Sequence, residues 1–187
     1  VGWRFSDALE LSVLGRNLFD RSYFASADED AVMEVVIDAG AEDVETEDGL
    51  VTVSTPRESF HAVVKALEDE IAAYCGSRFA IGCASGTDAL LLALMALDVG
   101  PGDEVITAAN TFTATVMAIK ASGARPVLVD CRPDTALVDV DQVASAITDR
   151  TRALMPVHLY GQAVSVEDLQ PLARDNELVV VEDAAQA

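Results

Sequence analysis

Lysine is almost missing from this chain: Lys65 and Lys120 are the only two among 187 residues. Basic residues number 12 against 32 acidic ones, giving a formal charge of −20 and a pI near 4.1. So acidic a chain has no bulk attraction for a phosphate backbone, and no nucleic-acid partner is expected. Cysteine is scarce too. Cys75, Cys83 and Cys131 are odd in number and lack C-x-x-C spacing, so they read as reduced, buried thiols of a cytoplasmic protein. No metal site is expected. No apolar run is long enough to cross a bilayer and no secretory signal is read, so no membrane partner is expected. The first residue is Val1 rather than methionine, which reads as an internal fragment.

Apolar side chains are plentiful. They make up 51% of the residues, with a mean hydropathy of +0.27. That suffices for one good core with a small appendage, and argues against disorder of the whole. Acidic charge is unevenly spread. Residues 25–75 hold 14 carboxylates against Arg57 and Lys65, whereas residues 76–187 hold 15 against 7 basic groups. Such a run is ordinarily a solvated surface; the contrast also suggests a boundary in composition.

Three pieces follow along the chain. In residues 1–24, Leu9 to Leu14 partly alternates apolar with polar, a strand signal. In residues 25–67, the spacing of Ala31, Val32, Val35, Val36 and Ala39 predicts a helix, with Asp28 as N-cap and Gly40 as its end. Strands are predicted over 44–46 and 50–54 around Asp48-Gly49, then a helix from Pro56. Residues 68–187 alternate strand with helix. Helices are predicted over 87–97, 111–121, 141–147 and 166–175. Strands are predicted over 104–108, 126–131, 153–157 and 178–181. Such alternation argues a parallel sheet with right-handed crossovers. The helix over 87–97 is apolar nearly all round, which predicts burial.

The last piece carries the chemistry. An apolar run, Phe79 to Ala84, reads as a strand leading into Ser85-Gly86-Thr87-Asp88 and a helix. A strand, a glycine-containing turn and a helix make an anion site, because free N–H groups and the helix dipole favour a phosphate. Taken alone, the turn reads more often as a capped helix start. A second apolar run, Leu178 to Val181, ends in Glu182-Asp183. Ligands of parallel sheets sit beyond the carboxyl ends of strands, so both signals point to one crevice. A phosphate at one end and a carboxylate at the other suit an aromatic phosphate with a basic ring nitrogen.

Five motifs in order extend that reading: Ser85-Gly86-Thr87-Asp88-Ala89-Leu90, Gly100-Pro101-Gly102-Asp103-Glu104-Val105-Ile106, Asn110-Thr111-Phe112, Pro156-Val157-His158-Leu159-Tyr160-Gly161 and Glu182-Asp183-Ala184-Ala185-Gln186. Residues 68–187 closely resemble the DegT/DnrJ/StrS family of pyridoxal-phosphate sugar aminotransferases. The resemblance implies an α/β fold: part of a fold-type-I aminotransferase large domain with a mainly parallel sheet, beside a small α+β N-terminal segment. It implies pyridoxal 5'-phosphate as cofactor. Gly86, Thr87 and the N–H of Asp88 would hold the phosphate, Phe112 would stack on the ring, Asp183 would pair with the ring nitrogen, and Gln186 would lie near the phenolic oxygen. It implies amino transfer, commonly from glutamate, to a keto-sugar nucleotide by a homodimer.

The same family carries its Schiff-base lysine downstream, in a Ser-Phe-x-x-x-Lys pattern that this chain does not reach. Neither Lys65 nor Lys120 matches that position, so no catalytic residue is assigned. The chain is expected not to turn over and to bind the cofactor weakly or not at all. His158 reads as structural, since this family uses the lysine for acid–base work.

The other pieces resemble different families. Asp28-Glu29-Asp30-Ala31-Val32-Met33-Glu34 with Ala39-Gly40-Ala41-Glu42-Asp43-Val44 resembles part of the YebC family of regulatory or translation-associated proteins. That family's basic N-terminal domain has no counterpart here. Residues 1–24 resemble a short β segment of a TonB-dependent receptor, residues 15–24, with Asn17-Leu18-Phe19-Asp20 and Tyr23, resembling the end of its barrel. Two strands cannot close a barrel, so no membrane function follows. Boundaries are expected at 24/25 and 67/68. The whole reads as a chimera. Its alternatives to an incomplete aminotransferase are a YebC-like module and a joined sequence with no selected function.

Overall fold

The computed structural model describes residues 2–5, 9–13, 29–47 and 50–186. These form two compact units, Val1–Ser85 and Gly86–Ala187. In the first, strands β1 (Gly2–Phe5), β2 (Leu9–Val13), β3 (Asp43–Glu47) and β4 (Leu50–Thr55) make an antiparallel sheet in the order β1-β2-β4-β3. Helices α1 (Glu29–Asp38) and α2 (Phe60–Tyr74) pair with each other. Val36, Val53 and Val63 are fully buried between sheet and helices. The chain turns after α1 at Gly40, whose φ of +102° suits a residue without a Cβ. The helix expected from Pro56 begins four residues later. Residues 57–59 form a turn in which Ser59 N–H bonds the Pro56 carbonyl at 3.0 Å. Asp28, the Asp48-Gly49 turn and the receptor-like stretch 15–24 lie outside the described residues.

Residues 86–186 build three layers. Strands β5 (Glu104–Ala108), β6 (Arg125–Val129), β7 (Thr151–Met155) and β8 (Val179–Val180) form a parallel sheet in the order β6-β5-β7-β8. Helices α3 (Gly86–Ala96) and α4 (Thr113–Ala121) share one face of it. Helices α5 (Val140–Ala146) and α6 (Val166–Asp175) lie on the other. Strand alternation assigns the side chains. Val105, Ala153, Met155, Val179 and Val181 meet the α3–α4 core, whereas Ile106, Leu154 and Val180 meet the α5–α6 core. The chain steps outward from β5 to β6 through α4 on one face. It returns to β7, and goes on to β8, through α5 and α6 on the other face, as a single crossover hand requires.

Some expectations are corrected. The run Phe79–Ala84 is not a strand. Phe79 and Ile81 are 78% and 82% exposed, and the Gly82 N–H bonds the Glu68 carboxylate at 2.7 Å. An extended run becomes a strand only where a neighbouring strand takes its backbone groups. Helix α3 is not buried all round either: Leu90 and Leu94 are buried, but Leu92 and Met95 are more than half exposed. One sheet face and one neighbouring helix cover only part of its circumference. None of the three thiols is buried; Cys75 is exposed and the other two are half-buried.

Candidate functional site

The carboxyl end of the parallel sheet collects most of the residues singled out by sequence. A short link, residues 97–103, joins α3 to β5, so the two run in opposite directions. The start of α3 therefore lies at the end where the strands finish. There the loop after β5 carries Asn110, Thr111 and Phe112, and the chain leaving β8 carries Glu182, Asp183 and Gln186.

Asp183 is only 6% exposed. It continues the alternation of Val179 and Val181, so its side chain turns to the α4 side of the sheet. Thr115 Oγ1, in the first turn of α4, donates to Asp183 Oδ2 at 2.7 Å. Thr115 in turn meets Thr111 Oγ1 at 2.7 Å. The Ala185 N–H donates to Asp183 Oδ1 at 3.3 Å. Backbone bonds fix the same residue: Asp183 N–H to the Pro156 carbonyl at 2.9 Å, and His158 N–H to the Asp183 carbonyl at 3.0 Å. A parallel bridge between Val157 and Asp183 thus prolongs the β7–β8 pairing. Neither threonine is singled out by the sequence motifs as a site residue. Their four-residue spacing at a helix start, which puts two hydroxyls on one side, is the signal that could have found them.

Phe112 is the N-cap of α4, with an extended backbone, and its ring is 68% exposed. The Thr115 N–H bonds the Phe112 carbonyl at 3.1 Å, so one helical turn ties the ring to the Asp183 contact. Gln186 accepts the Gly161 N–H at its carbonyl, 3.0 Å away, and its buried side-chain Oε1 has no hydrogen-bond partner among the described residues. Gly86 and Thr87 open α3, with Asp88 in its first turn. Among the described residues, a Cβ built on Gly86 would meet nothing within 4 Å.

Residues 58–187 match the DegT/DnrJ/EryC1/StrS aminotransferase family. The chain belongs to that family. Residues 2–81 match the TACO1/YebC second and third domain, a stretch that takes in β1 and β2 as well as β3 and β4. The resemblance of residues 1–24 to receptor barrels gains no support. Over 124 residues the chain is 52% identical to a "pleiotropic regulatory protein" of Geobacillus stearothermophilus, covering 66% of this chain and 33% of that one. Over 120 residues it is 47% identical to the dTDP-3-amino-3,6-dideoxy-alpha-D-galactopyranose transaminase of Aneurinibacillus thermoaerophilus, covering 64% and 33%. Among solved structures, NtdA from Bacillus subtilis with bound cofactor PMP superposes with a TM-score of 0.65 at 31% identity, covering 91% of this chain and 35% of that one. The chain therefore spans about a third of the length of these relatives. Its parallel sheet is part of the fold-type-I aminotransferase architecture.

Within this aminotransferase part, His158 is also buried, at 5% exposure. Its Nδ1 accepts the Val164 N–H at 3.0 Å, so in the neutral ring Nε2 carries the proton, and Nε2 lies 2.9 Å from Glu182 Oε2. Glu182 and Asp183 thereby leave the strand on opposite faces. Both ring nitrogens of His158 thus face partners within its own unit.

Lys120 stands elsewhere. It lies in the last turn of α4, five residues and about 7.5 Å of helix rise beyond Thr115, toward the amino end of the strands. Lys65, in the other unit, pairs with Asp69 at 2.7 Å. The amino end of the sheet holds a different charge cluster. Glu104 is 2% exposed; it accepts from Thr148 Oγ1 at 2.6 Å, Arg150 at 2.7 Å and Arg125 at 3.2 Å. The Thr148 hydrogen bond, with the two guanidiniums, holds its carboxyl below the usual value in spite of burial.

Proposed function

We propose that residues 68–187 supply the cofactor-binding part of a pyridoxal-phosphate aminotransferase acting on a keto-sugar nucleotide, with glutamate as amino donor. The observation that carries this is Asp183, a buried carboxylate pinned by Thr115 and Ala185 at the carboxyl end of the sheet. One more feature fits the same group: among the described residues nothing lies within 4 Å of where a Cβ on Gly86, at the start of α3, would stand.

In this reading the first N–H groups of α3, from Gly86 to Asp88, hold the phosphate through the helix dipole and direct hydrogen bonds. Thr87 adds its hydroxyl. Phe112 offers an exposed ring to one face of the cofactor. Asp183 would accept a hydrogen bond from the protonated ring nitrogen, and the Gln186 side-chain amide would donate to the phenolic oxygen. When bound, the cofactor would supply an electron-accepting ring. The chain's own part is to bind and orient that ring. Lys120 lies in the last turn of α4, away from Asp183, and Lys65 belongs to the other unit, so turnover by this chain alone is not proposed.

The complete enzyme is proposed as a cytoplasmic homodimer. Among the described residues no helix is long and apolar enough to cross a membrane. The two family matches share residues 58–81, and we place the joint at 67/68, within that overlap. The match over residues 2–81 favours a second reading, in which the N-terminal unit is a YebC-like regulatory or translation-associated module. A basic surface would be needed for that, and residues 25–75 are strongly acidic.

Titration with pyridoxal phosphate, followed by cofactor absorbance, tests the main reading. Wild type should bind weakly and Asp183→Asn more weakly still, with both folded by circular dichroism. Equal affinity in the two would show that the crevice is not the site.

A further inference from the structure

We infer that Thr115, backed by Thr111, is a positioning residue that sets the direction of the Asp183 carboxylate toward the cofactor ring. The inference rests on the cofactor reading above. Thr115 is fully buried, and its hydroxyl lies 2.7 Å from Asp183 Oδ2 and 2.7 Å from Thr111 Oγ1. An ionised carboxylate can only accept, so the single proton of the Thr115 hydroxyl goes to Asp183. Thr115 oxygen is then left to accept, and the Thr111 hydroxyl is its donor. The chain of hydrogen bonds therefore runs one way, from Thr111 through Thr115 to Asp183.

That direction has a consequence for the carboxylate. Thr115 takes one lone-pair direction of Oδ2, and the Ala185 N–H takes one of Oδ1. The plane of the carboxylate is thus held from both oxygens, and its remaining lone pairs are the ones left for a ligand. Thr115 also sits one turn from Phe112 in the same helix, with its N–H on the Phe112 carbonyl at 3.1 Å. A single helical turn therefore sets both the proposed stacking ring and the proposed charged partner. Valine at 115 would keep the β-branched shape and remove the hydroxyl, leaving Asp183 Oδ2 without its buried donor. Serine would keep the hydroxyl and lose only a methyl group.

The test uses the whole chain and four variants, Thr115→Val, Thr115→Ser, Thr111→Val and Asp183→Asn, titrated with pyridoxal phosphate by absorbance and checked for fold by circular dichroism. Thr115→Val should weaken binding about tenfold, as expected for a lost hydrogen bond to a charged group. Thr111→Val, at a half-buried position, should weaken it less, and Thr115→Ser should stay near wild type. If Thr115→Val does not fold, the Thr111→Val and Thr115→Ser pair decides. Wild-type affinity in the folded valine variants, with Asp183→Asn weakened, would overturn the inference and leave the site standing. Equal loss in serine and valine at 115 would assign the effect to the methyl group and overturn it too. Failure of wild type to bind, or no effect of Asp183→Asn, would sink the cofactor reading and this inference with it.

Discussion

Gly123 stands directly against Pro101: a Cβ built at position 123 would lie 2.9 Å from the proline Cγ. The contact locks the turn before β5 onto the turn after α4, since Gly123 ends that helix with φ of +92°. Gly123→Ala should therefore suffer twice, from a left-handed backbone and from collision with a ring that cannot rotate away. A loss of about 1–3 kcal/mol is expected from the backbone strain alone. Gly102, at φ of +98° with no described residue within 4 Å of where a methyl group would stand, makes the control. Chemical denaturation should place Gly123→Ala below Gly102→Ala; the reverse order would show that the Pro101 contact yields freely.

Glu104 ties three segments at the amino end of the sheet, and its carboxyl is held below the ordinary value of 4.5, first by the Thr148 hydroxyl and then by Arg150 and Arg125. A depressed folded-state value means that its stabilisation is fully present above about pH 4.5 and fades as pH falls through the lower, folded-state value. Both arginines are more than 60% exposed, so screening trims their share. Glu104→Gln should cost about 1–2 kcal/mol near neutral pH. The difference from wild type should shrink in acid. A difference constant from pH 7 down to pH 3 would contradict this account.

Much of the parallel sheet was legible because strand and helix alternate with clear punctuation. The strand Glu104–Ala108 and the helix Val166–Asp175 fall where the pattern put them. Phe79 to Ala84 shows the limit. Its apolarity predicts a strand, yet strand formation depends on a neighbour that a local pattern cannot reveal. Asp183 was legible from its place after an apolar run. Its partner Thr115 was not, because 68 residues separate the two and only the packing of α4 on the sheet brings them together. The pairing of β2 with β4 is hidden for the same reason: nothing local in Leu9–Val13 names Leu50–Thr55 as its neighbour.

His158 is predicted to serve the fold rather than proton transfer. Its Nδ1 satisfies the buried Val164 N–H, and its Nε2 faces Glu182. His158→Ala leaves that N–H without an acceptor, at a cost of about 1–3 kcal/mol. Hydrogen exchange at the Val164 amide should quicken in the folded variant. Unchanged exchange and an unchanged unfolding midpoint would argue against the structural role.

Lys120 is predicted not to bond the cofactor. A primary amine can attack a carbonyl only within contact distance, and Lys120 lies at the far end of the helix whose first turn meets Asp183. Helix α4 runs back along the sheet, so each residue past Thr115 moves about 1.5 Å further from the carboxyl ends of the strands. Five residues of rise exceed the length of a lysine side chain, and the direction is away from the site. Incubation with pyridoxal phosphate, reduction with borohydride and peptide mapping should give no labelled peptide specific to residues 113–121. Lys120→Ala should leave the affinity measured by absorbance unchanged. A stoichiometric reduced adduct at Lys120, lost when Asp183 is replaced by asparagine, would show that the amine and the carboxylate share one site and that α4 does not carry Lys120 out of reach of the cofactor.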